Sequence, residues 1–86
     1  MVQQELDIVN PTGLHARLAS NFCTLAGQYK CNVTIHFKEK KINGKSPLNV
    51  MTGGLKMGSH ITLSCNGEDE NEALQALSEY VRNLDE

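Results

Sequence analysis

Asn32-Val33-Thr34-Ile35-His36-Phe37-Lys38-Glu39-Lys40-Lys41-Ile42-Asn43 is the stretch that decides the fold. Val33, Ile35 and Phe37 alternate with Asn32, Thr34 and His36, the period of a strand with one face buried and one wet. Lys38-Glu39-Lys40 is a charged turn, and Lys41-Ile42-Asn43 is a short return strand, so the sheet is antiparallel. On the N-terminal side, Val2, Leu6 and Ile8 fall on even positions between Gln3, Glu5 and Asp7, a first strand closed by the turn cluster Asn10-Pro11-Thr12-Gly13. From Ala16 the period becomes helical through Leu18, Ala19, Phe22, Cys23, Leu25 and Ala26, with Gly27 as the stop. On the C-terminal side, Ser46 caps a short helix with Pro47 in its first position, running from about Pro47 to Thr52 and stopping at Gly53-Gly54. Ile61, Leu63 and Cys65 alternate with His60, Thr62 and Ser64 in a fourth strand. Asp69 and Glu72 have the spacing of a capping box, and Ala73, Leu74, Leu77, Tyr80, Val81 and Leu84 make the apolar stripe of a last helix. The order β-α-β-β-α-β-α predicts an α+β fold of two layers, a four-stranded antiparallel sheet covered on one face by three helices.

The 86 residues make one domain, 1–86. Apolar residues are 40% of the chain and charged residues 21%, which excludes a disordered segment. Eight Lys and Arg against ten acidic residues give a net charge of −2, which disfavours nucleic-acid binding. No apolar run reaches the roughly 18 residues that cross a bilayer, and Met-Val-Gln-Gln-Glu does not resemble a signal peptide, so a cytoplasmic protein without membrane insertion is expected. Cys23, Cys31 and Cys65 are an odd set without CxxC spacing. They read as reduced thiols, Cys23 and Cys65 as small core residues, and no metal or other cofactor is expected.

The chemistry concentrates in Asn10-Pro11-Thr12-Gly13-Leu14-His15-Ala16-Arg17. His15 is the last residue before a helix, where unpaired N–H groups and the positive end of the dipole suit an anion. The same field disfavours imidazolium, so the ring stays neutral and nucleophilic near pH 7. Arg17 adds a planar fork matched to phosphate oxygens. Spacing alone equally describes a helix-capping histidine beside a solvated arginine. His36 and His60 fall on polar strand faces and are assigned no role. No Ser or Cys with a base and an orienting carboxylate is present in a triad-like arrangement.

Gly13-Leu14-His15-Ala16-Arg17 resembles the active-site motif of HPr, the histidine-containing phosphocarrier family of the bacterial sugar phosphotransferase system. Asn43-Gly44-Lys45-Ser46-Pro47-Leu48-Asn49-Val50-Met51-Thr52 resembles that family's regulatory serine segment, and Ile61 to Glu70 resembles its last strand and the entry to its final helix. The likeness spans residues 2 to 85 without an insertion. It implies the HPr open-faced β-sandwich. It implies a carrier, not a turnover enzyme: Enzyme I, charged from phosphoenolpyruvate, phosphorylates His15 on Nδ1, and the group passes to the IIA component of a sugar permease. Arg17 and the backbone at Ala16 and Arg17 would hold the phosphoryl oxygens. Ser46 would be the target of an HPr serine kinase/phosphorylase, with a catabolite-control transcription factor as a further partner. Thr12, Leu14, Leu18, Pro47, Leu48 and Met51 would form the docking patch of a monomer, with Val50 in the core instead.

The chain departs from the family pattern in three places. Leu18 stands where the family usually has proline, which restores an amide near the helix start and is expected to add exposed apolar surface. Thr24 and Gly27 replace commonly basic positions, which weakens attraction to acidic partners. Pro47 after the serine is unusual for kinase recognition. The competing readings are a nitrogen-type paralogue and a mainly regulatory HPr-like protein. Regulatory relatives of that kind lack the histidine, so His15 argues against regulation as the sole function.

Overall fold

The computed structural model describes residues 1–11, 13–14 and 16–84. The elements in chain order are β1 (Val2–Asp7), α1 (Ala16–Ala26), β2 (Asn32–Phe37), β3 (Lys40–Asn43), α2 (Pro47–Thr52), β4 (His60–Asn66) and α3 (Glu70–Arg82). The strands form one antiparallel sheet in the order β1-β4-β2-β3. The predicted fold is therefore the observed one.

Register explains the alternation. Leu6 lies opposite Ile61, Ile35 opposite both Leu63 and Ile42, and Val33 opposite Cys65, so these alternate ladder positions carry apolar pairs to the same face. Onto that face α1 lowers Leu18, Ala19, Phe22, Cys23 and Ala26, and α3 lowers Ala73, Leu77 and Val81. Phe22, Ile35, Leu63 and Leu77 are fully excluded from solvent. Burying each such side chain is worth about 1.5–3 kcal/mol. The opposite face of the sheet is polar and open, carrying Glu5, Asp7, Thr34, His36, His60 and Thr62.

The helix α2 has the bounds its sequence predicts. Ser46 holds extended backbone angles, its Oγ accepts the Asn49 N–H at 3.4 Å, and Pro47 fills the first position, where no amide is needed. Of its residues only Val50 is buried, against α1 and β3.

The start of α3 differs from expectation. Asp69 precedes the helix but makes no side-chain cap to it. Its two carboxylate oxygens instead accept the amides of Lys30 at 2.8 Å and Cys31 at 2.9 Å, tying α3 to the segment between α1 and β2. These bonds, the Lys30 amide first, hold the Asp69 carboxyl below the usual carboxylate range. Glu70 reaches back to the Gly67 N–H at 3.2 Å and to the terminal amine at 3.1 Å. The capping-box spacing of Asp69 and Glu72 identified where the helix begins, but a tertiary bond took the side chain meant to cap it.

Candidate functional site

The loop from β1 to α1 is built from the inside. Asn10 is buried at 1% exposure, its Nδ2 donates to the Gly13 carbonyl at 2.8 Å, and the Gly13 N–H returns to the Asn10 carbonyl at 3.2 Å. Gly13 has φ +66°, the left-handed region, and the Cβ of any other residue would sit 2.5 Å from Lys56 Cα and closer still to the Leu55 carbonyl. The next amide, Leu14 N–H, donates to that same carbonyl at 3.0 Å. Residues 55–56 thus form the floor on which the motif rests. Thr12 and His15 lie outside the described residues.

Directly after His15 the chain becomes helical. The N–H groups of the first turn of α1, beginning at Ala16 and Arg17, have no carbonyl four residues back within the helix, and they stand at its positive end. Ala16 and Arg17 are both exposed. The charge of Arg17 reaches the Tyr80 hydroxyl from α3. A guanidinium and a set of outward amides on one exposed turn can receive an oxyanion, which needs no enclosed pocket. A shallow concavity on the open sheet face, lined by Asn32, Thr34, His36 and Lys41 among others, is a separate feature away from this turn.

Two residues expected in the docking patch are elsewhere. Leu14 is 2% exposed and Leu18 4%. The Leu14–Leu55 backbone bond turns Leu14 into the core, and Leu18 lies one turn before Phe22 on the stripe that faces the sheet. Leu18 therefore adds no apolar surface beside the motif, contrary to the expectation from its replacing proline. The α2 residues behave as expected: Pro47 is exposed, Leu48 is 67% and Met51 41% exposed, while Val50 is buried. Val9 and Met57 are exposed apolar residues that the sequence reading did not single out. Val9 is on the outer phase of the alternation that buries Leu6 and Ile8, whereas Met57 lies in a loop with no periodicity.

His60, assigned no role, has structured partners. Its Nδ1 lies 2.7 Å from an Asp7 carboxylate oxygen and its Nε2 3.2 Å from one of Glu5, both on the adjacent strand β1. Asp7 first, then Glu5, raises the imidazole above its ordinary value. A raised folded-state value stabilises the fold at pH below the unfolded value near 6.5, and that contribution is lost as pH rises through the folded value. Asp7→Asn should accordingly lower the titration midpoint of His60, read from its ring proton shifts by NMR; an unchanged midpoint would show that the pair does not persist in solution.

The three cysteines are buried and unpaired. Burial raises all three thiols, and Cys65, with Cys31 and then Glu70 and Asp69 adding to it, is pushed up to about 12. Such thiols stay protonated and unreactive, in keeping with the reading of Cys23 and Cys65 as core residues, to which the structure adds Cys31.

Comparison with known proteins decides the family. The family model described as the PTS HPr component phosphorylation site matches residues 2–83. This chain belongs to the HPr family. The phosphocarrier protein HPr of Buchnera aphidicola subsp. Acyrthosiphon pisum is 39% identical over 85 residues, covering 99% of this chain and all of that one. The HPr-like protein Crh of Bacillus subtilis is also 39% identical, over 82 residues, with 95% of this chain and 96% of that protein covered. Among solved structures, HPr of Thermoanaerobacter tengcongensis superposes with a TM-score of 0.91 at 35% identity, covering 95% of this chain and 92% of that one. The HPr phosphocarriers belong to the phosphotransferase system, and the family that Gly13 to Arg17 resembles is the one the chain as a whole matches. Among the described residues, no helix is long and apolar enough to cross a membrane.

Proposed function

We propose that this protein carries a phosphoryl group on His15 between Enzyme I and the IIA component of a sugar permease. The observation that carries the reading is the family match over residues 2–83 together with a helix that opens directly after the motif histidine and exposes Arg17 in its first turn. The Nδ1 lone pair of neutral His15 attacks phosphorus, the bond from phosphorus to the Enzyme I donor breaks, and the new N–P bond forms. Transfer to IIA repeats the exchange in the other direction. Arg17 neutralises the oxygens, and the amides at Ala16 and Arg17 orient them. An exposed site with few donors holds the group loosely enough to give it up, and the partners supply the remaining positioning. The carrier acts in the cytoplasm as a monomer, docking its partners through Pro47, Leu48 and Met51, with Thr12 of the motif loop as a further docking residue. The experiment is incubation with Enzyme I and phosphoenolpyruvate: one phosphoryl group should be added, acid-labile and base-stable, mapping to His15. No uptake under these conditions sinks the reading.

A second reading, a regulator acting through Ser46, is favoured by the similarity to Crh. A kinase-added phosphate at Ser46 would stand beside Leu48 and Met51, and a dianion there resists desolvation against an acidic partner. Ser46→Asp should therefore leave the melting temperature about unchanged while slowing phosphorylation of His15. Ser46→Ala should cost only about 0.5 kcal/mol, the low end for a lost cap, because the bond it removes is long at 3.4 Å. Steady-state transfer and thermal melts on the three proteins check both statements. Transfer by Ser46→Asp at the wild-type rate would reduce the serine to a structural cap.

A further inference from the structure

The first turn of α1 is braced from the far end of the chain. Tyr80, in the last turn of α3, donates its hydroxyl to the Leu18 carbonyl at 3.1 Å, across 62 residues of sequence. Its ring meets Phe22 one turn further along α1, with centroids 6.1 Å apart and planes tilted by 55°. Burial raises the Tyr80 phenol, and the Asn21 side chain and then the positive charge of Arg17 act in the opposite direction. The hydroxyl thus holds the backbone carbonyl that directly follows Arg17, the arginine assigned to the phosphoryl group.

We propose that Tyr80 is a positioning residue for phosphoryl transfer, acting through Arg17: its hydroxyl fixes the first turn of α1 and the arginine that turn presents. The inference rests on the phosphocarrier reading above. A long arginine side chain on an exposed turn loses conformational freedom whenever it grips an oxyanion. A phenol anchored to the carbonyl next in sequence fixes the backbone from which the guanidinium is presented, so less order remains to be imposed at the moment of transfer. The benefit falls on the transfer step and not on docking, because Tyr80 belongs to α3 and the exposed apolar residues proposed to dock partners belong to α2.

The test is a cycle of wild type, Tyr80→Phe, Arg17→Ala and the double variant, each assayed with Enzyme I and phosphoenolpyruvate so that KM for the carrier and the maximal rate are separated. Phenylalanine keeps the ring against Phe22 and removes only the hydroxyl. Tyr80→Phe should lower the maximal rate roughly two- to tenfold, the range for one neutral hydrogen bond, with KM unchanged. In the Arg17→Ala background the same change should slow transfer no further, whereas a purely structural loss would slow both backgrounds alike. Tyr80→Phe at the wild-type rate, or equal slowing in both backgrounds, overturns the proposal and leaves the phosphocarrier reading standing. Wild type that takes up no phosphoryl group overturns that reading itself. A measurement free of any folding defect at Tyr80 is the phenol titration followed by NMR of 13C-labelled tyrosine: Arg17→Ala should raise the Tyr80 midpoint, and no rise would show that the two groups do not meet.

Discussion

His15→Ala is expected to take up no phosphoryl group from Enzyme I and phosphoenolpyruvate, while its circular dichroism melt remains that of a folded protein. The methyl side chain offers no lone pair to phosphorus, and no other described histidine opens a helix: His36 and His60 both lie in strands. The thiols are buried and raised, and both ring nitrogens of His60 are occupied by carboxylates on the open face of the sheet. Label retained at the wild-type level in this variant would mean that the phosphoryl group sits elsewhere, and the reading of the motif would have to be abandoned.

Gly13→Ala should have the second largest effect, and on both stability and transfer. A non-glycine residue at φ +66° is strained, and its Cβ would meet the backbone of Leu55 and Lys56, which cannot move aside as a flexible side chain can. Relieving the clash lifts the loop off its floor and breaks the Leu14–Leu55 bond at 3.0 Å. Strain and lost bond together should cost roughly 2–4 kcal/mol, which for a domain of this size lowers Tm by at least about 8 °C. Because the same loop leads into His15, transfer should fall at temperatures where the variant is still fully folded. A melt within about 2 °C of wild type, well below the shift that strain of this order implies, would show that the close approach is absent in solution.

Most of the fold could be read from local signals, and the reason is visible element by element. The bounds of α2 were set by Ser46, Pro47 and Gly53, all within the helix or next to it, and the structure reproduces them. The β2–β3 hairpin was carried by strict alternation in adjacent segments, and its register pairs the residues that alternation put on one face. What could not be read were side chains whose fate is decided by distant chain. Asp69 was assigned to its own helix but binds amides 38 and 39 residues away. Leu14 and Leu18 were placed on the surface because of the motif beside them, whereas burial followed from the Leu55 carbonyl and from the stripe ending at Ala26. His60 falls on the polar face of its own strand, which gives no sign of a partner, and the carboxylates that hold it belong to β1. For the site, the structure adds the exposed first turn, the glycine seat and the phenol on the Leu18 carbonyl, while Thr12 and His15 lie outside the described residues.

The place of β1 in the sheet also bears on how the chain is made. This strand is at the sheet's edge and bonds only to β4, with Asp7 opposite His60, 53 residues later. On a ribosome adding about 5–20 residues per second, the first strand emerges roughly 3–10 s before its sole partner has been synthesised. Through that interval its backbone groups have nothing to zip onto, which makes the nascent chain vulnerable to pairing with a neighbour on the same messenger. The exposed Gln3, Gln4, Glu5 and Asp7 suit such a wait, since a strand with four polar residues out of six stays hydrated until the one apolar ladder able to receive Leu6 arrives.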